Sequence, residues 1–155
     1  MERNKSNILE NVFFQDGTLR DIYVFHTDLE DWKKIINWIG NSTYSMEFYV
    51  DGQVTSEYEN LDIAYLFKET EKKSILMSIN VTGIKINCHF FSQDEIEFDI
   101  DPKQIKNEND VSTVFKFMNN LSKVLGKQTI LSGENSPELP LVQVNPDGTL
   151  IIAAS

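Results

Sequence analysis

Cys88 and His89 stand side by side, and shortly after them comes the run Glu95-Ile96-Glu97-Phe98-Asp99-Ile100-Asp101. A thiol and an imidazole suit nucleophilic or metal chemistry, and an imidazole beside carboxylates suits acid–base work. The chain has one other histidine, His26, and no second cysteine. It contains no HExxH, CxxC, GxSxG or phosphate-loop spacing. Neighbouring residues on a strand point to opposite faces, so Cys88 and His89 cannot form a thiolate–imidazole pair if this segment is extended. Cys88 then reads as a core residue, and His26, with no ligand cluster around it, as a structural one. Calcium wants acids in a loop with a glycine turn, whereas Glu95–Asp101 alternates like a strand. The expectation is therefore of no catalytic residue, no cofactor and no metal ligand.

Alternation positions these groups. Ile84, Ile86, Cys88 and Phe90 share one face with Lys85, Asn87 and His89 opposite; Ile96, Phe98 and Ile100 face away from Glu95, Glu97, Asp99 and Asp101. If the two strands form a hairpin, both apolar sets must lie on the same side, and a one-residue slip would turn one of them to water. The tightest solution sets Phe91 opposite Glu95 across the loop Ser92-Gln93-Asp94. It also pairs His89 with Glu97, Asn87 with Asp99 and Lys85 with Asp101, and the nearby carboxylate should raise the His89 pKa.

Four acids on one face have two readings. As a solvated sheet surface they need no purpose, because carboxylates about 6.8 Å apart repel by only about 0.6 kcal/mol in water. As a binding face they would attract a basic partner and speed its association. Lys and Arg number 14 against 24 Asp and Glu, for a net charge of −10, which makes nucleic acid and anionic membranes poor partners and a basic protein the natural one. Seven acids against one lysine between Glu47 and Glu71 add to the second reading. Tyr49, beside Glu47 and on the outward side of its strand, is the aromatic anchor candidate. The candidate partner-binding set is Glu95, Glu97, Asp99, Asp101, Glu47 and Tyr49.

The surrounding pattern predicts an α+β fold with a mainly antiparallel sheet built from hairpins and two principal helices packed on it. Leu9–Phe14 and Leu19–His26 flank Asp16-Gly17, a hairpin signal that predicts a first pair of strands. Thr27-Asp28-Leu29-Glu30 reads as a capping box with Thr27 as the cap, opening a helix over 28–39 with Leu29, Trp32, Ile36 and Ile39 inward. Trp38 lies off that stripe, half-buried or exposed. Tyr44–Val50 and Gln53–Ser56 form a second hairpin, and residues 60–70 a short helix. Strands follow at Ser74–Val81, Ile84–Phe91 and Glu95–Asp101. A long helix over 110–125 buries Val114, Phe115, Met118 and Leu121 and stops at Gly126. Thr129–Leu131, Leu141–Val144 and Thr149–Ile152 complete the sheet.

From Cys88 onward the chain resembles small bacterial proteins associated with the immunity proteins of polymorphic or contact-dependent toxin systems. Three stretches carry the likeness: Cys88-His89-Phe90-Phe91; Asp94 to Pro102; and Phe117-Met118 to Leu125-Gly126-Lys127, extended by Ile130-Leu131-Ser132-Gly133-Glu134-Asn135-Ser136-Pro137-Glu138-Leu139-Pro140. The resemblance implies a non-catalytic binding protein that occludes a cognate toxin, frequently an enzyme with a basic cleft. It carries no defined catalytic motif. An adaptor or structural module for some other protein is the alternative, and an enzyme working through His89 and neighbouring carboxylates the third reading.

With 155 residues, 41% hydrophobic and 25% charged, the chain reads as one globular domain with a core that needs no disulfide, only residues 1–7 being free to be disordered. The longest apolar run, Leu150–Ala154, falls far short of the roughly 20 residues of a membrane span. No secretory signal opens the sequence and the single cysteine fits a reducing compartment, so the expected location is the cytoplasm.

Overall fold

A computed structural model describes residues 5–58 and 62–153. The elements run α1 (Lys5–Asn11), β1 (Arg20–Phe25), α2 (Leu29–Gly40), β2 (Ser45–Val50), β3 (Gln53–Thr55), α3 (Ile63–Glu69), β4 (Ile75–Val81), β5 (Ile84–His89) and β6 (Glu95–Ile100). A 3-10 turn at Pro102–Gln104 leads to α4 (Glu108–Leu125), β7 (Thr129–Gly133), β8 (Pro140–Val144) and β9 (Leu150–Ile152). The fold is α+β, with all nine strands in one antiparallel sheet of order β3-β2-β4-β5-β6-β1-β7-β8-β9. Among the described residues no helix is long and apolar enough to cross a membrane.

One face of the sheet supplies the core. Ile22, Val24, Met77, Ile79, Ile86, Cys88, Ile96, Phe98 and Leu131 are all buried there, against Trp32, Ile35 and Ile39 of α2 and Val114, Phe117, Met118 and Leu121 of α4. Phe98 meets Phe117 edge to face at 5.3 Å, and Trp32 stacks on Phe90 at 5.1 Å. Within α4 the fully buried aromatic is Phe117, and the expected Phe115 is only half-buried, packing on Phe13 at 6.4 Å. In α2 Ile35 and Ile39 are the fully buried isoleucines, with Leu29 and Ile36 partly covered. Trp38 is half-buried between Tyr44 and Phe117. Gly126, in the left-handed conformation at φ 64°, stops α4 as expected, and Gly83 at φ 90° closes the β4–β5 turn in a region that costs other residues more.

Three sequence expectations change. First, Leu9–Phe14 is not a strand. Lys5–Asn11 is helical, while residues 1–4 lie outside the described part. Ile8 and Val12 are buried one turn apart, and α1 packs on α4. The Asp16-Gly17 signal is spent locally instead: the Asp16 carboxylate accepts from the Thr18 amide and hydroxyl at 3.0 and 2.7 Å, which is an Asx turn. Arg20, 1% exposed, holds the loop in place by donating to the carbonyls of Val12 (2.6 Å), Phe14 (2.6 Å) and Leu19 (3.0 Å), with its guanidinium 4.4 Å from the Phe14 ring centre. Second, β1 therefore pairs with β6 and β7 rather than with its sequence neighbour. Third, the capping box is shifted by one residue. The Asp28 carboxylate accepts from the Asp31 amide at 2.9 Å, and Asp31 accepts from the Asp28 amide at 3.1 Å. Thr27 instead donates its hydroxyl to the Gln93 carbonyl at 2.8 Å.

The short helix expected at 60–70 is α3, whose cap Asp62 accepts from Ala64 and Tyr65; residues 60 and 61 lie outside the described part.

Two substitutions test this framework by urea unfolding. Met118→Ala should lose about 2 to 5 kcal/mol, as a large-to-small change in a close-packed core does. Arg20→Met should lose about 2 kcal/mol or more, because three loop carbonyls forfeit a charged donor. A loss under half a kcal/mol in either would contradict the burial described.

Candidate functional site

The hairpin register is the expected one where the strands are paired: His89 lies opposite Glu97 and Asn87 opposite Asp99, with Cys88 and Phe98 sharing the core face. The ladder ends short on both sides. Lys85 does not pair with Asp101, because the chain turns at Pro102 and the Gln104 side-chain amide takes the place of a strand, accepting from the Lys85 amide at 2.8 Å and donating to its carbonyl at 2.9 Å. Asp101 is exposed and caps the 3-10 turn by accepting from the Lys103 amide at 3.0 Å, so it leaves the acidic row. Phe91 is not paired with Glu95; it stands 69% exposed with its ring stacked on His89 at 4.9 Å. The loop between β5 and β6 is tied to α2, since Thr27 Oγ1 and Trp32 Nε1 both donate to the Gln93 carbonyl.

The remaining predicted acids are brought together on the sheet face that the helices leave uncovered. The registers make a continuous row across all nine strands: Val54, Tyr49, Leu76, His89, Glu97, Tyr23, Ile130, Gln143 and Ile151. A parallel row holds Glu47, Ser78, Asn87, Asp99, Asp21 and Ser132. Tyr49 and Glu97 thus share a row, separated by three strand spacings, about 14 Å. Tyr49 is half-buried and Glu47 exposed. Glu95 is half-buried opposite Phe25. Between Tyr49 and Asn87 lies a shallow groove of 380 Å³ floored by Leu76 and Ser78 and edged by Lys85.

Sequence reasoning missed Asp21, Tyr23 and Phe25. Their alternation with Ile22 and Val24 was a usable signal, but nothing local placed β1 beside β6. Asp21 is 4% exposed, and its carboxylate accepts from the Tyr23 hydroxyl at 2.9 Å and the Asn135 amide at 2.8 Å. The loop after β7 thereby folds over this corner of the face. Tyr23 stacks on Phe25 at 5.3 Å, opposite Glu97 and Glu95.

The acids are accordingly not a freely solvated ladder. Asp99 is 13% exposed at its side chain, hydrogen-bonded to the His89 Nε2 and accepting from Asn87 at 3.2 Å. Burial raises the pKa of Glu97, against a hydrogen bond from Tyr23 that lowers it, and burial likewise raises Asp21. Burial, with the Glu97 and Asp21 carboxylates around its hydroxyl, pushes the Tyr23 phenol far above its ordinary range. For His89, burial opposes the charged ring, but the Asp99 hydrogen bond and the charges of Asp99, Glu97 and Asp21 outweigh it, so its pKa is raised. The expected direction holds, with Asp99 rather than Glu97 as the bonded partner. Cys88 is buried on the other face, where desolvation pushes its thiol well up. His26 is exposed, in the left-handed region at φ 59° where the chain leaves β1 for α2. Among the described residues no group of three or more His, Cys, Asp or Glu could hold a metal ion.

Counted over its strands, this face carries five carboxylates, Asp21, Glu47, Glu95, Glu97 and Asp99, against Lys85 and the titratable His89. Interleaved with them are the half-buried Phe25, Tyr49, Leu76 and Ile130, while Tyr23, 4% exposed, is buried among them. The arrangement can present negative charge and aromatic surface together to a cation-bearing partner. The chain matches no family model, no curated protein and no solved structure.

The raised pKa of His89 has a defined sign in stability. Its contribution is full below the unfolded pKa and is lost as pH rises through the folded one. An NMR titration of the His89 ring should give a midpoint above that of an unfolded histidine. The stability difference between wild type and His89→Gln should shrink across the same interval. A depressed midpoint would refute the Asp99 pairing.

Proposed function

We propose that this chain is a non-catalytic binding protein whose uncovered sheet face docks on a basic surface of another protein, and that it acts in the cytoplasm as an immunity protein neutralising a cognate bacterial toxin. One observation carries the docking reading: four carboxylates at least partly open to water, Glu47, Glu95, Glu97 and Asp99, against one lysine on a sheet face that no described helix covers, with the rings of Phe25 and Tyr49 set among them. Charge complementarity names the occupant as basic, because like-charged partners would be repelled before contact. The finer role rests on the likeness from Cys88 to Pro140. In the fold those residues supply the end of β5 (Cys88 and His89), β6, β7 and the loop over Asp21, which form part of the face and its border.

Half-buried charges and rings divide the labour of such an interface. Glu95 and Glu97 lack a lysine or arginine opposite them in the sheet, so a partner's cation would meet carboxylates without a cross-strand cation, Glu97 also taking a hydrogen bond from Tyr23. Tyr49 offers a large ring at little entropic cost. Asp99 is already engaged by His89 and Asn87 and serves to hold the row in place.

The test begins with the protein that co-purifies from the native host, identified and then purified for binding kinetics. Changing Glu95 and Glu97 together to Gln should leave folding within about 0.5 kcal/mol of wild type, as exposed or half-exposed surface changes do. It should slow association about tenfold at low salt, with most of the difference gone near 0.5 M salt, where charges are screened beyond a few ångströms. Tyr49→Ala should accelerate dissociation more than it slows association. Unchanged rates in both variants at both salt concentrations would return the face to a solvated surface. A partner that is not a toxin would leave the docking face and remove the immunity role.

A further inference from the structure

His89 is the one histidine on the strands of the uncovered face, and it lies within its acidic rows. Its ring is 25% exposed at the side chain, bonded through Nε2 to Asp99 and stacked on Phe91. Glu97 and Asp99 face it from β6, with Asp21 and Tyr23 beyond them on β1. From β4 its cross-strand neighbour is the uncharged Leu76. Lys85 lies on its own strand, and Lys72 and Lys73 line the groove that His89 shares with Phe91. Lys73 is itself paired with Glu69 at 3.4 Å.

We propose that His89 makes the docking of a basic partner pH-dependent: a proton on its ring weakens the hold of the face on a cation, and loss of that proton strengthens it. This inference rests on the docking reading above and adds its regulation. Two physical effects act in the same direction. The imidazolium neutralises Asp99 and sets a positive charge beside Glu97, so the partner's cation meets less negative charge. A docked partner also excludes water from a ring that is still partly exposed, and desolvation disfavours the charged imidazole. The raised pKa of His89 moves this titration toward neutral pH, away from the carboxylates. Glu97 and Asp21 gain protons at lower pH and weaken docking further, so affinity should climb in two separable steps as pH rises.

Linkage makes the effect reciprocal. If protonation of His89 weakens cation binding by some factor, saturation with the cation must lower the His89 midpoint by the logarithm of that factor. The expected factor is about three to ten, a fall of about 0.5 to 1 pH unit in the midpoint.

The experiment uses the full chain, isotope-labelled, with nona-arginine as the probe at low salt from pH 5.5 to 8.5. Amide shifts report where the peptide sits, and the His89 ring shifts give its midpoint with and without peptide. The inference expects perturbed residues on the uncovered faces of β1, β5 and β6, a lowered His89 midpoint, and tighter binding at high pH. In His89→Gln, whose amide can still bond Asp99, the upper pH step should vanish while the lower step remains. Peptide on this face with an unmoved His89 midpoint would overturn the regulation and leave the docking reading standing. So would an upper step that persists in His89→Gln. No perturbation of the face at any pH would overturn both.

Discussion

Strand alternation in a sheet covered on only one side is the constraint from which the other features follow. Each central strand gives one set of side chains to the helices and the other to the opposite face, and hydrogen-bonded registers hold those second sets in rows across nine strands. A row that passes through Tyr49, His89, Glu97 and Tyr23 is the outer counterpart of the buried rows through Met77, Cys88, Phe98 and Ile22. Moving β6 by one residue would turn Glu95, Glu97 and Asp99 toward the helices and expose Ile96, Phe98 and Ile100. The core therefore keeps the outer face in register.

Two polar devices, one buried and one in a surface loop, accompany that arrangement at the middle of the sheet. Arg20 gathers the loop that follows α1, and so frees β1 from a hairpin with its own neighbour to lie between β6 and β7. The Gln93 carbonyl, receiving Thr27 and Trp32, fastens the β5–β6 loop to the start of α2. Loop amides and side-chain donors thus do the work of sheet ladders where the ladders stop, as Gln104 does for Lys85.

The outer face is not a stability optimum. Asp21 and Glu97 are carboxyls whose ionisation burial opposes, and they stand near Asp99 and around a single tyrosine hydroxyl. Their raised pKa values mean that ionising them costs stability as pH rises above the unfolded values. At Asp21 the bonds from the Tyr23 hydroxyl and the Asn135 amide offset part of that cost.

Much of the central hairpin was legible along the chain. Alternation in Lys85–Phe91 and Glu95–Ile100 allows only even-sum registers, and the shortest loop selects His89 opposite Glu97. Helical spacing and Gly126 located the long helix, though Phe117 rather than Phe115 took the core position, because α4 turns that side toward Phe98 and Trp38. The α1 segment was misread because Asp16-Gly17 carries the same turn signal whether it closes a hairpin or an Asx turn, and only the burial of Arg20 distinguishes the two. What the residues alone determine is the sidedness of each strand, since that follows from a two-residue period. Which strands are neighbours belongs to the tertiary structure: backbone hydrogen bonds are the same for any pair, so the meeting of Asp21 and Tyr23 with Glu97 and Asp99 was decided by how the helices and loops could pack.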